Sequence, residues 1–530
     1  MRISYIVSIL ACFITWLSPA MSNGKTVHVK SLADFEKHTS APGIRYVIRE
    51  QIDLQGKTLT MPIESKIEFM GGTISNGAIV GNKTVLKGLS KGVFSGVFIS
   101  GTFQVKQLSY DMFADYSDDT SLLCAMLNML FYSTEKTTLK LEPNRRYNIT
   151  APKLGYYRAI FEYDGISDKR IEGNHAVLYD QRTRSMIGCD DFDGVFLFSN
   201  CHNIVISNLN YRLKDESFDE IYDVNGKIRL KAGIERQMGL VGPTFMFIKN
   251  DCSGFDIETK VYGPRYGLKV GDYNRYWFCG EYGLKNSRIH IEAEKIGYPV
   301  AIELGDSLDI FVRSDTHARA AYLCGLSNSK VRVEAKNICR APIHCLLSDT
   351  HYSKGDKKNV RFKPCFNLDV KIKELGSELV ANADAFCVAF QTYNTPQFYS
   401  RTEPLKWHDI NVTVDYSAPA PRVGGATISR LNPSNEKDPL RLADVFKNIR
   451  ITVNNPYEAE QYSMRLRISR YGVYDNIITN LHTPKSNVII DNANTYEFDM
   501  SSSGIKGVVY SGKVNSGKTR KFAMKSALNN

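Results

Sequence analysis

Residues 302–348 decide the fold, and they read IELGDSLDIFVRSDTHARAAYLCGLSNSKVRVEAKNICRAPIHCLLS. Two kinds of short apolar run alternate in this stretch. In the first kind, LDIF from Leu308 and VRVE from Val331, two apolar residues flank one that points the other way, as a strand with period two requires. The second kind is more apolar and comprises IEL, YLC and CLL, which begin at Ile302, Tyr322 and Cys345.

Both kinds of run recur outside this stretch. The first set is FDIE, IHIE, LDIF, VRVE and LDVK, and its members begin 34, 19, 23 and 37 residues apart. The second set is LKV, IEL, YLC, CLL and CVA, with intervals of 34, 20, 23 and 42 residues. Two columns that advance almost in step are typical of a stacked solenoid. Hairpin signals are sparse, which disfavours a β-sandwich or a propeller. We therefore predict an all-β chain that forms a right-handed parallel β-helix.

The start of the chain is predicted to be a secretory signal peptide over residues 1–20. Arg2 is its basic end, residues 6–17 are its apolar run, and Ser18-Pro-Ala20 is its cleavage site. A lipoprotein site at Cys12 is the alternative. Since no later stretch approaches ~20 apolar residues, we expect an exported, soluble chain in the periplasm or outside the cell, without an integral membrane segment.

The rest of the chain divides by composition into three parts. A strand-rich segment is predicted over 24–110, the β-helix over 111–512 with a short helix at 119–130, and a polar, basic tail over 513–530. The formal net charge of +11 points to a polyanionic partner, an acidic polysaccharide rather than nucleic acid, although a merely basic surface stays open. The chain has 11 cysteines but no CxxC pair, so Cys324, Cys345 and Cys387 are expected to be core thiols.

Residues 113–150, FADYSDDTSLLCAMLNMLFYSTEKTTLKLEPNRRYNIT, resemble the entry motif of the pectate-lyase-like superfamily. Asp115, Asp118 and Asp119 match its Asp-rich loop, and the strand at Tyr147 matches as well, whereas residues 144–146 replace the usual Gly. We expect the three aspartates to shape a turn and cap the helix. The basic, exported β-helix with a strand-rich first segment resembles gut-bacterial polysaccharide lyases, glycosaminoglycan lyases above all.

That resemblance implies β-elimination on a uronate-containing polymer such as chondroitin sulfate, dermatan sulfate or hyaluronan. A positive group must neutralise the uronate carboxylate, a base must take the C5 proton, and an acid must protonate the O4 oxygen. Some β-helix lyases use Ca²⁺ to neutralise the uronate carboxylate. The sequence leaves Ca²⁺ open for this chain and indicates no other cofactor. The connections between the two strand columns offer basic, aromatic and His residues, which stacking is expected to align on one outward groove.

The candidate catalytic residues are His317, Arg319, Tyr298 and Lys269. His317 is the expected base, Arg319 or Arg340 the expected carboxylate clamp, and Tyr298 or Lys269 the acid or base. The candidate substrate-binding residues are Arg265, Glu303, Arg313, Arg340, His344 and Tyr276.

Two other functions stay open at this point. The acidic cluster Asp190, Asp191 and Asp193 could bind Ca²⁺ or supply the paired carboxylates of a glycoside hydrolase. A non-catalytic, carbohydrate-binding or adhesive β-helix would need the same basic groove. We expect a monomer in each case.

Overall fold

The structure is a computed structural model. It describes the following residues: 25–38, 41–151, 154, 158–182, 194–214, 243–271, 283–338, 343–348, 350–352, 361–378, 385–391, 406–429, 444–458, 464–467, 472–483, 488–490 and 505–506. By their contacts, these residues form two units. Unit 1 contains the residues up to Val105 together with Asp111–Tyr116 and Tyr132–Thr134, and unit 2 contains the others.

The helices and strands run in chain order as follows: β1 (Thr26–Val29), α1 (Leu32–Glu36), β2 (Arg45–Ile48), β3 (Gln51–Asp53), β4 (Thr58–Thr60), β5 (Lys66–Phe69), β6 (Thr73–Lys87), β7 (Phe94–Gln104), β8 (Gln107–Ser109), a 3-10 turn (Tyr110–Met112), β9 (Phe113–Ala114), α2 (Asp119–Phe131), β10 (Thr137–Lys140), β11 (Arg146–Ile149), β12 (Ala159–Asp164), β13 (Ser167–Glu172), β14 (Val177–Asp180), β15 (Gly194–Ser199), β16 (His202–Ser207), β17 (Asn210–Leu213), β18 (Thr244–Lys249), β19 (Cys252–Ser253), β20 (Asp256–Tyr262), β21 (Tyr266–Val270), β22 (Leu284–Ile296), β23 (Tyr298–Ile302), β24 (Gly305–His317), β25 (Ala321–Cys324), β26 (Leu326–Ile338), β27 (Ile343–Ser348), β28 (Thr350–Tyr352), β29 (Arg361–Lys363), β30 (Cys365–Glu374), β31 (Ala385–Gln391), β32 (Lys406–Tyr416), β33 (Val423–Ser429), β34 (Asp444–Asn454), β35 (Met464–Arg467), β36 (Gly472–His482), β37 (Val488–Ile490) and β38 (Ile505–Lys506).

Unit 1 is built on one parallel sheet with the strand order β1-β2-β5-β6-β7-β9, and β3 and β4 also pair with β6. Its core is aromatic: the Phe69 and Phe94 ring centroids lie 5.4 Å apart, and those of Phe94 and Phe113 lie 5.6 Å apart. The strand-rich character predicted for this part of the chain is therefore observed.

Unit 2 is a right-handed parallel β-helix, as predicted. Sheet 1 follows the order β20-β22-β24-β26-β30-β32-β34-β36-β38, and sheet 2 follows β12-β15-β18-β21-β23-β25-β27-β31-β33-β35-β37. Each coil therefore supplies one strand to each sheet. Before β20, sheet 1 is built from shorter strand pairs: β16 and β17 both pair with the single strand β20.

The interior of unit 2 lies between the two sheets. Phe198 of sheet 2 contacts Phe255, which precedes β20, with 5.7 Å between ring centroids. Val270 and Ile302 continue the Phe198 column on later coils, so they face the same interior. Because side chains alternate along a strand, Lys269, next to Val270, faces outward.

Helix α2 forms where the sequence predicted a helix, and it packs on the first coils of unit 2. Asp118 accepts a hydrogen bond from the Ser121 backbone N–H at 2.8 Å, which satisfies one of the free donors at the helix start. The Phe131 ring lies 4.0 Å from that of Tyr163 and 5.6 Å from that of Phe198. The predicted capping role of Asp118 is confirmed.

One corner of the β-helix is built from a column of residues with left-handed backbone conformation. Asn328, Asn367, Asn448 and Asn476 have φ angles of 50°, 52°, 51° and 53°. Asn tolerates this region better than most residues. The Asn367 Nδ2 donates to Asn328 Oδ1 at 2.9 Å, and Asn476 Nδ2 donates to Asn448 Oδ1 at 3.0 Å. These bonds tie neighbouring coils together.

One further expectation is met within the described residues. Cys324, Cys345 and Cys387 are buried free thiols, which confirms them as core residues. None of the helices in the described ranges is long and apolar enough to cross a bilayer.

Candidate functional site

Arg265, Tyr298 and Arg319 occupy similar places on three consecutive coils, where the chain passes from sheet 1 to sheet 2. The Tyr298 backbone N–H donates to the Arg265 carbonyl at 2.7 Å. The Arg319 N–H donates to the Gly297 carbonyl, next to Tyr298, at 3.1 Å. The structure thus brings these three predicted residues together.

Three tyrosines at or near the start of successive sheet 2 strands form what we term the tyrosine cluster: Tyr266, Tyr298 and Tyr322. They pack with Ala301, the register partner of the outward-facing Lys269, so the cluster lies on the outward side of sheet 2. Tyr266 and Tyr298 are register partners on adjacent coils, and their rings stack with 5.0 Å between centroids and 20° between planes. Tyr322 meets Tyr298 edge-on at 6.1 Å and 80°. Both are favourable aromatic geometries. The spacing of parallel strands, about 4.8 Å, sets the stacking distance.

Cationic side chains surround this cluster. The Arg265 guanidinium carbon lies 4.8 Å from the Tyr266 ring centroid, and Lys269 Nζ lies 5.2 Å from it on the same coil. The Arg319 guanidinium carbon lies 5.6 Å from the Tyr322 ring. Cations within about 6 Å of an aromatic face are attracted to it. The outward side of these coils therefore joins aromatic surface to positive charge.

Beneath the tyrosines lies a buried ion pair between Lys269 and Glu303. Their side chains are only 1% and 2% exposed, and Lys269 Nζ bonds Glu303 Oε1 directly. Gly271 makes room for the carboxylate, because a Cβ at that position would lie 2.8 Å from Glu303 Oε2. Both residues were predicted to line the groove, whereas the structure buries them. Their pairing supports the site from below.

Among the tyrosines of the cluster and the cations around them, Tyr298 and Arg319 are the residues that solvent reaches. Both are partly exposed, whereas Arg265, Tyr266 and Tyr322 are buried. Burial raises the pKa of Tyr266 to about 12, and the nearby Arg265 charge opposes that shift. Tyr266 consequently stays protonated at ordinary pH and serves as a wall of the site.

The raised pKa of Tyr266 predicts alkaline sensitivity. An unfolded tyrosine ionises near pH 10, so stability is intact below that pH and falls as pH rises toward the folded pKa of about 12. Relative to a Tyr266→Phe variant, the wild-type chain should lose about 1 kcal/mol between pH 9 and pH 11. Urea unfolding of both proteins at the two pH values measures this difference. An equal loss in both would contradict the prediction.

His317 and His344 do not lie on the outward side. His317 stands between Ile296 and Ile338 in a buried column, and it is 1% exposed. Its Nε2 lies 2.8 Å from Nδ1 of His344, which is itself fully buried. Burial first, and His344 second, hold the pKa of His317 well below its usual value. The prediction that His317 and His344 line the groove is therefore corrected.

The cause of this inward turn is the backbone of the preceding residue. Thr316 has φ of +59°, and its counterparts Lys295 and Asn337 have 49° and 59°. A left-handed residue breaks the alternation of side chains. The residue that follows it points into the core on each of these coils, as Ile296 and His317 do.

Arg313 belongs to a different surface, the outward side of sheet 1. It lies in a column of alternating charge that we term the charge ladder: Lys260, Glu292, Arg313, Glu334 and Lys373. Its guanidinium bonds Glu334 at 2.6 Å and lies 4.0 Å from Glu292. A groove of about 440 Å³ runs over this surface and is lined by carboxylates as well as cations. A polyanion would meet negative charge there, which disfavours the predicted role of Arg313.

Several predicted residues lie outside the described part of the chain. These are Arg340, Tyr276 and the acidic cluster Asp190, Asp191 and Asp193. The signal peptide and the basic tail fall there too.

Tyr266 and Tyr322 were not predicted as site residues. The sequence pattern that indicates them was present, because a tyrosine stands at or near the start of three successive sheet 2 strands, β21, β23 and β25.

Comparison with known proteins gives no match: no protein-family model matches the chain, and no curated protein sequence matches it.

Proposed function

We propose that this protein is a polysaccharide lyase that cleaves a uronate-containing polymer by β-elimination at the tyrosine cluster. The observation that carries the proposal is the partly exposed pair Tyr298 and Arg319, which flank Tyr322 on the outward side of a parallel β-helix. A long repetitive surface suits an extended polymer. Aromatic faces suit sugar rings, and Arg suits carboxylates.

Arg319 is the group proposed to hold the uronate carboxylate. A guanidinium can donate two parallel hydrogen bonds to it. The charge that develops beside this carboxylate when C5 loses its proton would be stabilised by the same cation. The buried charge of Arg265 adds to the positive potential on this side of the coils.

Tyr298 is the group proposed to transfer the proton. In the proposed step the phenolate form of Tyr298 takes the C5 proton, and the C5–H electron pair forms the C4–C5 double bond. The C4–O4 bond breaks with its electron pair on O4, and the phenol formed at Tyr298 gives that proton to O4. Of the described cluster, Tyr298 is the accessible side chain that can exchange a proton. His317 is inside the coil, and Lys269 is paired with Glu303 below the surface.

The remaining parts of the proposal follow from the sequence. Residues 113–150 support membership of the pectate-lyase-like superfamily, and residues 1–20 support export. The net charge of +11 supports an anionic substrate, for which we propose a glycosaminoglycan such as chondroitin sulfate, dermatan sulfate or hyaluronan. We further propose that the chain acts as a monomer.

The test is an assay of the full mature chain on hyaluronan, chondroitin sulfate, dermatan sulfate, pectate and alginate. Lyase action yields an unsaturated product, so we expect ultraviolet absorbance to rise with at least one glycosaminoglycan. New reducing ends without absorbance would indicate a hydrolase. Binding without turnover would indicate a non-catalytic module. Either outcome overturns the proposal, as do flat traces on all five polymers.

A further inference from the structure

A second group of reactive side chains lies inside the β-helix. His344 of β27, Glu374 at the end of β30 and Cys387 of β31 are all fully buried. One ligand atom from each lies within 4.8 Å of the other two, the one such group in the described ranges. Three strands from two adjacent coils supply them.

We propose that His344, Glu374 and Cys387 bind a structural divalent cation of the zinc class. Nitrogen, carboxylate oxygen and thiolate sulfur are the donors zinc takes in proteins. Tetrahedral bonds of about 2.0–2.3 Å would separate the ligand atoms by roughly 3.3–3.6 Å. The His344 Nε2 lies 2.8 Å from Glu374 Oε2, and Cys387 Sγ lies 4.0 Å from the same oxygen. Small shifts of a few tenths of an ångström about a central ion would bring both into range.

The surroundings of the three residues match what metal ligands need. The His344 Nδ1 is hydrogen-bonded to His317 Nε2 at 2.8 Å, which fixes the imidazole with its Nε2 toward the other two ligands. Oε1 of Glu374 accepts hydrogen bonds from the Gly376 N–H, the Ser377 N–H and the Ser377 hydroxyl, at 2.9, 2.9 and 2.8 Å. Oε2 is thereby left to face His344 and Cys387.

Charge also balances at this site. One divalent cation with the Glu374 carboxylate, the Cys387 thiolate and a neutral His344 sums to zero. An isolated ion in an apolar interior is costly, but a neutral set of paired charges is not. Binding would release the thiol proton and any proton on His344. The Tyr416 hydroxyl, which donates to the Val423 carbonyl at 2.8 Å, lies 3.7 Å from Cys387 Sγ and offers an oxygen for a fourth position.

The experiment uses the full mature chain, unfolded and refolded with Co²⁺ or with a chelator. We expect about one cobalt ion per chain, a thiolate-to-cobalt charge-transfer band, and a higher melting temperature than that of the chelator-treated protein. The matched variants are Cys387→Ser and Cys345→Ser, since Cys345 is also a buried thiol and lies on the same strand as His344. The band should vanish in the first and persist in the second.

Two outcomes would overturn the proposal. One is a refolded wild-type chain without the band and with the same melting temperature in cobalt and in chelator, which would make the group a hydrogen-bonded core network only. The other is an unchanged band in Cys387→Ser. If Cys387→Ser does not fold, the wild-type comparison alone decides. None of these readouts depends on lyase activity, so this proposal can fail while the proposed function stands.

Discussion

Replacing Lys269 with methionine is expected to destabilise the protein by about 3–5 kcal/mol. The substitution removes one partner of a pair whose side chains are 1% and 2% exposed, and it takes the Lys269 ammonium away from the buried Glu303 carboxylate. Chemical denaturation followed by circular dichroism measures the change as a shift of the midpoint at constant slope.

The matched variants for this prediction are Glu303→Gln and the double variant Lys269→Met with Glu303→Gln. Glu303→Gln should also be strongly destabilising, since the buried Lys269 ammonium then loses the charge of the Glu303 carboxylate. The double variant should recover most of the loss because neither charge remains. A double variant destabilised by the full sum of the single variants would show that the pair is not the unit we describe.

Replacing Tyr298 with phenylalanine is expected to reduce kcat by about 10²–10⁴-fold, the usual contribution of one proton-transfer group. The ring and its stacking on Tyr266 should be retained, so KM and the melting temperature should change little. Steady-state measurement of the unsaturated product gives both constants.

Tyr262→Phe is the control for that variant. Tyr262 is also partly exposed, but it lies on sheet 1 against Arg212, with 4.4 Å from the guanidinium carbon to the ring centroid. Loss of the Tyr262 hydroxyl should leave kcat unchanged. If Tyr298→Phe retained full activity, the proton-transfer role of Tyr298 would be refuted, whereas the lyase function would not.

The fold could be predicted because apolar runs repeat at nearly constant spacing, but the exact register could not. The structure pairs Ile257, Ile289, Ile310, Val331 and Val370 in one column. The alignment of the repeats within the sequence instead placed Phe255, Leu308 and Leu368 beside Ile289 and Val331. Each of those three residues lies two positions before the residue that the structure places in the column. A register shift of two residues keeps each side chain on the same face of the sheet, so the predicted fold is correct despite the wrong register.

The corner column contains the signal that would have fixed the register. Asn328 stands three residues before Val331, and Asn367 stands three before Val370. Asn448 has the same relation to Ile451, which continues the column. The left-handed conformation that Asn tolerates occurs once per coil at this corner.

Only some of the site residues could be placed from the sequence, because the strand pattern shows the coil spacing but not the direction of every side chain. Arg265, Tyr298 and Arg319 follow from coil spacing alone. His344 could not be placed, because its strand β27 is buried along its whole length and shows no alternation. Thr316 also adopts a left-handed conformation without being Asn or Gly, so the sequence gives no warning of the inward turn at His317.

We propose that the chemistry takes place on the outward side of sheet 2 and not on the charge ladder of sheet 1. The most direct test compares the rate of unsaturated product formation in two variants, Arg319→Gln and Arg313→Gln, on a polymer that yields this product with the wild-type chain in the proposed assay. We predict a fall of roughly 10²–10³-fold for Arg319→Gln, as for other lost transition-state donors, and an unchanged rate for Arg313→Gln. An active Arg319→Gln together with an inactive Arg313→Gln would contradict the account.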